Sequence, residues 1–373
     1  MAASVFRKFT KRFFLIITLL LCIILVFACL APYLNPAHWW LIGFIGLSVP
    51  YLLTLILFAF LFWLIVKPKL SLIPLASLFI AWKQIAVLFG LHYGLEFAQP
   101  KPNDVIRLVD WNVAGLHGIS HNKEKRRHNR IELADAIIKL QPDIICMQEY
   151  NNSYDKNSLI NNNTLFENLY PYQFFSKDYY RVKGNYFSGC IIFSKYPVID
   201  SGRIAYPGKM AESLIYADIL HGKDTIRVYT SHLQSFRFTH ADYEDIDKIK
   251  EQDEEAISAS KNIFKKMKLA FTRRGVQAEI VQRTISQSPY PSIICGDFND
   301  VPNSFTYFHI RGNRQDAFLK KDFGIGRSFM GLAPTLRIDY ILPDNQFNVN
   351  QFDMVDEGLS DHVMLVTDIS VKK

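Results

Sequence analysis

Two apolar runs near the N-terminus, residues 13–30 and 39–66, restrict the rest of the chain more than any other feature. Each is long enough to cross a bilayer, which takes about 20 apolar residues, and both are expected to be transmembrane helices. The first follows Arg7, Lys8, Lys11 and Arg12; the second contains Pro50 and is followed by Lys67 and Lys69. A cleaved signal with a lipid-bearing Cys29 is the competing reading of the first run. Bulky Phe27, where small residues are wanted, and the second run behind it argue against that. Residues 70–92 are a third, weaker candidate. Lys83 interrupts them, but near their C-terminal end, from where its ammonium can reach a headgroup region.

Residues 31–38 carry no Lys or Arg, so the basic flanks sit at one end of the hairpin. By the positive-inside rule the N-terminus and the turn at Pro68 are cytoplasmic. Residues 70–92 are expected to span as well, which places the remainder of this multi-pass protein outside the cytoplasm; lying at the interface instead, they would leave it in the cytoplasm. Residues 1–100 thus read as a membrane anchor of two or three transmembrane helices.

Of 42 basic and 35 acidic residues, seven bases and one acid (Glu96) lie in the first hundred positions, leaving 35 and 34 beyond them. Six units of the net charge of +7 therefore belong to the anchor. The remainder is near neutral and lacks the general basic footprint of nucleic-acid-binding proteins, although a local patch stays open. The five cysteines show no CxxC or framework spacing; Cys146, Cys190 and Cys295 lie inside apolar runs and read as buried thiols.

The segment Gln99-Pro100-Lys101-Pro102-Asn103 cannot continue a helix and marks a domain boundary. Short strand-like runs recur beyond it: "VIRLVDWN", "DIICMQE", "SGCIIFS", "LIYADIL", "TIRVYTSHL", "SIICGDFN", "RIDYILP" and "VMLVTDI". Between them, Ile131, Ala134, Ile137 and Ile138 form the apolar face of a helix ended by Pro142. Residues 242–287 read as long helical structure, acidic first and basic later, which suits the helix dipole and a solvated face. That reading leaves Arg273 and Arg274 a lesser claim to substrate. The Asn-rich stretch 151–164 reads as a mobile loop.

In "SIICGDFND" an apolar strand runs directly into Gly296, Asp297 and Asn299. On extended backbone, side chains two apart point the same way, so Asp297 and Asn299 are expected to face one cleft. Alone this would be an ordinary turn. Yet Asn112, Glu149, His232, Asp339, Asp361 and His362 also stand at the ends or edges of apolar segments. Carboxylates, amides and imidazoles without a thiolate favour Mg²⁺ or Mn²⁺ over zinc. The set also supplies what phosphoester hydrolysis needs: charge neutralisation, an oriented water and a proton donor. There is no Walker loop, nucleophile elbow or Cys-His pair for a competing mechanism.

In this order, "WN", "QE", "SHL", "GDFN", "RIDYI" and "SDH" resemble the endonuclease/exonuclease/phosphatase superfamily over residues 104–371, and "IFSKYP" resembles a further family segment. The resemblance implies an α/β fold, a four-layer sandwich of two mixed β-sheets flanked by helices, with the site at one sheet edge. It implies Glu149 as principal metal ligand, with Asn112 and Asp361 holding the ion or its waters. His232 would bind the scissile phosphate or donate a proton, and Asp297 with Asn299 would orient the attacking water and the phosphate. Asp339 would fix the tautomer of His362, which would act as general base or stabilise the transition state. Two departures concern backbone shape: Ser231 stands where Thr or Asn is common, and Met364 where a proline usually follows.

The expected protein is a membrane-anchored, Mg²⁺-dependent hydrolase of a phosphodiester, nuclease-like on DNA or RNA. Its expected partners are that substrate and the lipid bilayer, with no obligate protein partner. A phospholipid or phosphoinositide hydrolase is the alternative, and a non-catalytic binding module on the same fold the least favoured reading.

Overall fold

The computed structural model describes residues 2–94, 96–102, 104–117, 123–155, 158, 160–208, 212–251 and 256–372. The helices are α1 Ala2–Ala28, α2 Leu41–Val66, α3 Pro68–Ile80, α4 Trp82–Ala86, α5 Lys123–Lys139, α6 His240–Glu251, α7 Ala256–Ser286, α8 Phe305–Arg311 and α9 Ala317–Lys321. The strands are β1 Gly90–Leu91, β2 Ile106–Asn112, β3 Ile144–Ser153, β4 Tyr172–Phe175, β5 Tyr179–Arg181, β6 Tyr186–Ser194, β7 Val198–Ala205, β8 Ser213–His221, β9 Asp224–His232, β10 Ser292–Asp297, β11 Phe323–Gly324, β12 Asp339–Pro343, β13 Phe347–Val355 and β14 Met364–Val371. They divide into two compact units: Met1–Leu88, Phe238–Val276 and Val301–Phe308 in one, Phe89–Arg237, Gln277–Asp300 and His309–Lys373 in the other.

In the first unit, Phe6–Ala28 and Leu41–Val66 are long and apolar enough to cross a membrane. Their large side chains point outward as well as inward. Phe58 and Ile65 of α2 are 65 % and 85 % exposed, an all-round apolar surface that a water-facing helix would not keep. Leu25, Ala28, Val49, Ile56 and Ala81 form the small core between helices, and the indole N–H of Trp63 donates to Thr18 Oγ1 at 2.9 Å.

Residues 70–92 do not form the single third helix expected of them. α3 has 13 residues, about 20 Å at 1.5 Å per residue, and Ala81 (φ −81°, ψ 12°) separates it from the five-residue α4. Here Gln84 is buried; it donates to the Ala28 carbonyl at 3.0 Å and its Oε1 accepts from Asn303 at 2.9 Å. A buried amide at this point suits a chain leaving an apolar environment better than one still inside it.

The second unit holds two mixed sheets. The seven-stranded sheet runs β13-β14-β2-β3-β6-β4, with β5 also on β6, and the five-stranded sheet runs β12-β10-β9-β8-β7. Each has one parallel pair, β2 with β3 and β9 with β10. Alternation sorts the apolar residues. Ile106, Leu108, Ile144, Cys146 and Ile192 meet Ile215, Ala217, Val228, Ile293 and Cys295 of the other sheet. Their neighbours Val109, Trp111, Ile145, Met147 and Phe193 face outward onto Leu133, Ala134 and Ile137 of α5. Strands buried on both faces read as continuous apolar runs, and each of the eight runs found in the sequence is a strand. β4, β5, β7 and β13 are polar, short or partly exposed, and lack that signal.

Two local expectations are corrected. In the 151–164 stretch, which lies partly outside the described residues, Asn151–Ser153 complete β3. Asn162 Nδ2 donates to the Asn151 carbonyl at 2.8 Å, and the Asn163 N–H to Asn152 Oδ1 at 3.1 Å. These amides substitute for missing backbone partners, so an Asn-rich stretch is ordered here. Arg274 is buried, its guanidinium 4.9 Å from the Phe271 ring centroid, and so is not on a solvated face.

Arg107 ties the first strand of the domain into place. Buried at 1 % exposure, it makes a forked pair with Asp368 at 2.7 and 2.9 Å and donates to the Leu140 carbonyl at 2.8 Å. Removing one partner of such a pair strands a buried charge. Arg107→Ala is expected to destabilise the domain by about 3–5 kcal/mol, and Arg107→Leu/Asp368→Leu by much less. Denaturant unfolding of the detergent-solubilised chain checks this; equal destabilisation in the two variants would contradict it.

Candidate active site

Register brings the site together. On the five-stranded sheet, Asp297 is directly opposite both His232 of β9 and Asp339 of β12. On the other sheet Asn112 ends β2 opposite Gln148 of β3, and the next residue, Glu149, lies in a bulge with φ 53°. The bulge turns Glu149 outward, its carboxylate half exposed, while Gln148 stays buried.

The groups then touch. Asn112 Nδ2 donates to Asp297 Oδ2 at 3.0 Å and approaches Glu149 Oε1 at 3.4 Å; its own oxygen accepts the Ala114 N–H at 3.1 Å. His232 Nε2 is 3.6 Å from Asp297 and 3.8 Å from Glu149, and this nitrogen is buried without a hydrogen-bond partner. His362 directs Nδ1 at both oxygens of Asp339, 3.1 and 3.0 Å away, which leaves Nε2 facing Asp297 at 3.7 Å. Six of the eight residues expected from sequence, Asn112, Glu149, His232, Asp297, Asp339 and His362, thus share one cluster. A cleft of about 400 Å³ opens over Glu149 and His232.

The other two are placed differently. Asn299 does not continue extended backbone: its φ is 53°, its N–H donates to Asp297 Oδ1 at 2.8 Å, and its side chain donates to the Leu233 carbonyl at 3.0 Å. It closes a turn around Asp297 rather than projecting beside it, because the pair forms an Asx-type turn. Asp361 is exposed, its Oδ1 3.4 Å from Ser360 Oγ. Gly296 is needed for close approach of strands: at φ 133°, a Cβ there would lie 2.1 Å from the Ser231 carbonyl oxygen.

Some supporting residues had no signal of their own in the sequence. Trp111 Nε1 donates to the His362 carbonyl at 2.8 Å, Ser360 Oγ donates to the Asn112 carbonyl at 2.8 Å, and the Phe329 ring packs 4.9 Å from the imidazole of His362. Of the two departures, Ser231 shares a 2.5 Å hydrogen bond with Tyr206, and Met364 is a buried residue opening β14.

The electrostatics separate the acids from the base. Burial and the neighbouring Asp339 push Asp297 up to about 6, against the pull of His362, His232 and Asn112. Burial opposes the charged form of His362, but Asp339 and Asp297 outweigh it and raise its pKa to about 10. The two carboxylates thus favour the imidazolium form of His362, which Asp339 orients.

A divalent cation fits this donor set. Glu149, Asp297, Asp339 and Asp361 outnumber the two histidines, and none of the cluster's side chains is a Lys or Arg. Asp297, Asp339 and His362 all lie within 4.8 Å of one another, but Nδ1 of His362 is already committed to Asp339. The half-exposed Glu149 carboxylate beside Asn112 is the better fit for an oxygen-seeking ion.

Comparison with known proteins bears on the fold and the family. Solved structures share the fold: an endonuclease/exonuclease/phosphatase from Beutenbergia cavernae (17 % identity, 72 % of each chain, TM-score 0.53), the human Nocturnin catalytic domain with bound sulfate (19 %, 72 % of this chain and 94 % of that one, 0.50) and an endonuclease/exonuclease/phosphatase from Bacteroides vulgatus (16 %, 72 % and 99 %, 0.50). No curated protein matches the chain. Residues 11–88 match a domain of unknown function. Residues 111–362 match the profile of the Endonuclease/Exonuclease/phosphatase family, and with two thirds of its length so matched the chain belongs to that family.

Proposed function

We propose that the chain is a membrane-anchored phosphoesterase that hydrolyses a phosphodiester with Mg²⁺ or Mn²⁺, nuclease-like in its chemistry. The observation that carries this is the meeting of Asn112, Glu149, His232, Asp297 and the Asp339–His362 pair at one edge of both sheets. Glu149 with Asn112 would hold the ion, which when bound would neutralise charge on the phosphate oxygens, and the exposed Asp361, outside the cluster, is left at most the ion's waters. Asp297 is the general base: its carboxyl, held near 6, can accept a proton from an attacking water at neutral pH. The Asn299 N–H fixes one of its oxygens. His362, cationic and aimed by Asp339, stabilises the charge that develops on the phosphoryl oxygens. His232, whose Nε2 lacks a protein partner, binds the phosphate or donates to the leaving oxygen. The tether favours a second reading, hydrolysis of a phospholipid or phosphoinositide, since it raises the effective concentration of a membrane substrate.

The domain is proposed to face away from the cytoplasm. Lys67 sits beside Lys11 at the basic end of the hairpin. From there α3 runs along α1: Ser77 Oγ donates to Cys22 Sγ at 3.3 Å, and Gln84 then reaches the Ala28 carbonyl. The chain after residue 84 thereby leaves at the end opposite the basic flanks, supporting a third, kinked crossing.

Glu149→Gln, Asp297→Asn and His362→Ala are each expected to lower kcat at least about 100-fold on bis(p-nitrophenyl) phosphate, with folding retained. Chelator should abolish the parent activity and Mg²⁺ restore it. Near-native activity in all three variants would overturn the assignment. For topology, a reporter active only outside the cytoplasm should work when fused after Pro100 and stay silent after Lys69. Activity of a cytoplasmic reporter after Pro100 would leave two crossings.

A further inference from the structure

A second cavity, of about 790 Å³, adjoins the catalytic cleft: His117, Tyr186 and Ser188 line both. Its volume falls within the range of about 300–1,000 Å³ typical of ligand sites. Four arginines line it, Arg126, Arg127 and Arg130 from α5 and Arg181 from β5, against a single carboxylate, Glu124. Arg130 lies four residues after Arg126 and three after Arg127, so it neighbours both on the helix surface, and all three line the cavity. This face lies in the first half of α5, where the helix dipole adds positive potential.

Arg130 is only partly satisfied by the protein. Its Nη2 donates to the Asn161 carbonyl at 3.3 Å, but its Nε is buried without a hydrogen-bond partner. Burial, with Arg126 nearby, holds His117 below the usual histidine range, as expected of a site with a positive field. Beside the arginines, Tyr179 is about half exposed, and Arg181 stacks over the Tyr186 ring at 4.6 Å.

We propose that this arginine-lined cavity binds a second phosphate of the substrate, next to the one cleaved, and that the substrate is single-stranded nucleic acid. The proposal rests on the phosphoesterase reading above and adds its substrate class. Guanidinium groups in a fork recognise phosphate, and the half-exposed Tyr179 among them offers a stacking face for an unpaired base. A zwitterionic phospholipid head, with one phosphate and a cationic choline, supplies no group for four arginines. The near-neutral total charge of the domain is no obstacle, because the basic residues are concentrated where the scissile strand would continue.

The full chain in detergent, with chelator present, is titrated with a fluorescein-labelled octathymidylate and read by anisotropy. Arg126→Ala/Arg130→Ala is expected to weaken binding at least tenfold and to lower the salt slope by about 0.7 for each phosphate that the variant no longer neutralises. With Mg²⁺, the same variant should show a drop in kcat/KM at least five times larger on the oligonucleotide than on bis(p-nitrophenyl) phosphate, which has no second phosphate. Arg126→Lys/Arg130→Lys should recover part of the binding. Equal binding by parent and Ala variant overturns the inference, as does an equal drop on both substrates, which would mark a structural role. Binding of vesicles containing a phosphatidylinositol bisphosphate in preference to the oligonucleotide overturns the nucleic-acid assignment. A parent that binds the oligonucleotide through these arginines but hydrolyses neither ester overturns the phosphoesterase reading and leaves the subsite standing.

Discussion

The 3.0 Å hydrogen bond from Asn112 to Asp297 joins the ends of two parallel strand pairs that belong to different sheets. Everything in the cluster is referred to it. Behind it Gln148 donates both to Asp110, at 2.7 Å, and to Thr230 of the opposite sheet, at 2.8 Å. Burial pushes the Asp110 carboxyl well above the ordinary carboxylate range, which favours its neutral form between the sheets. A polar seam of this kind is stable only when nearly all its members are paired, and it fixes how the two sheets are set against each other.

That setting decides which groups face each other across the edge. Asp297 is held by Asn112 from one sheet and flanked by His232 and Asp339 in its own. The His362 ring comes from the loop before β14 and is steadied by the Trp111 indole and the Phe329 ring, so its orientation depends on three separate segments. The consequence is division of labour between two neighbouring acids. Asp339 stays bound to the imidazole, while Asp297, crowded and buried, is tuned toward neutral pH.

The long N-terminal helices obey a different physics. They expose apolar side chains in every direction, and the polar groups that remain are satisfied internally, as Trp63 is by Thr18 and Gln84 by Ala28 and Asn303. Gly43 lets the Phe271 ring lie directly against α2, where a Cβ would come within 2.5 Å of it. Close packing of α7 on the non-basic end of the hairpin follows from the absence of that one atom.

The sequence by itself determined the two long apolar helices, the doubly buried strands and which polar residues stand at their ends. A long apolar run, a β-branched run and a polar residue at its end are all local signals, and each survives folding unchanged. It could not determine that Glu149 occupies a bulge, that Asn299 turns back on Asp297, that Asn151–Ser153 extend a strand, or that residues 70–92 bend at Ala81. Those depend on partners distant in the chain: a register on β6, the Leu233 carbonyl, the 162–163 amides, and the Ala28 and Asn303 groups that hold Gln84. The arginines of α5 are the clearest case. In the sequence "EKRRHNR" is a charge run of the kind that usually coats a solvated helix, and only tertiary structure turns Arg126, Arg127 and Arg130 toward Arg181 of β5 and the cleft, because helix faces are converted into sites by what packs opposite them.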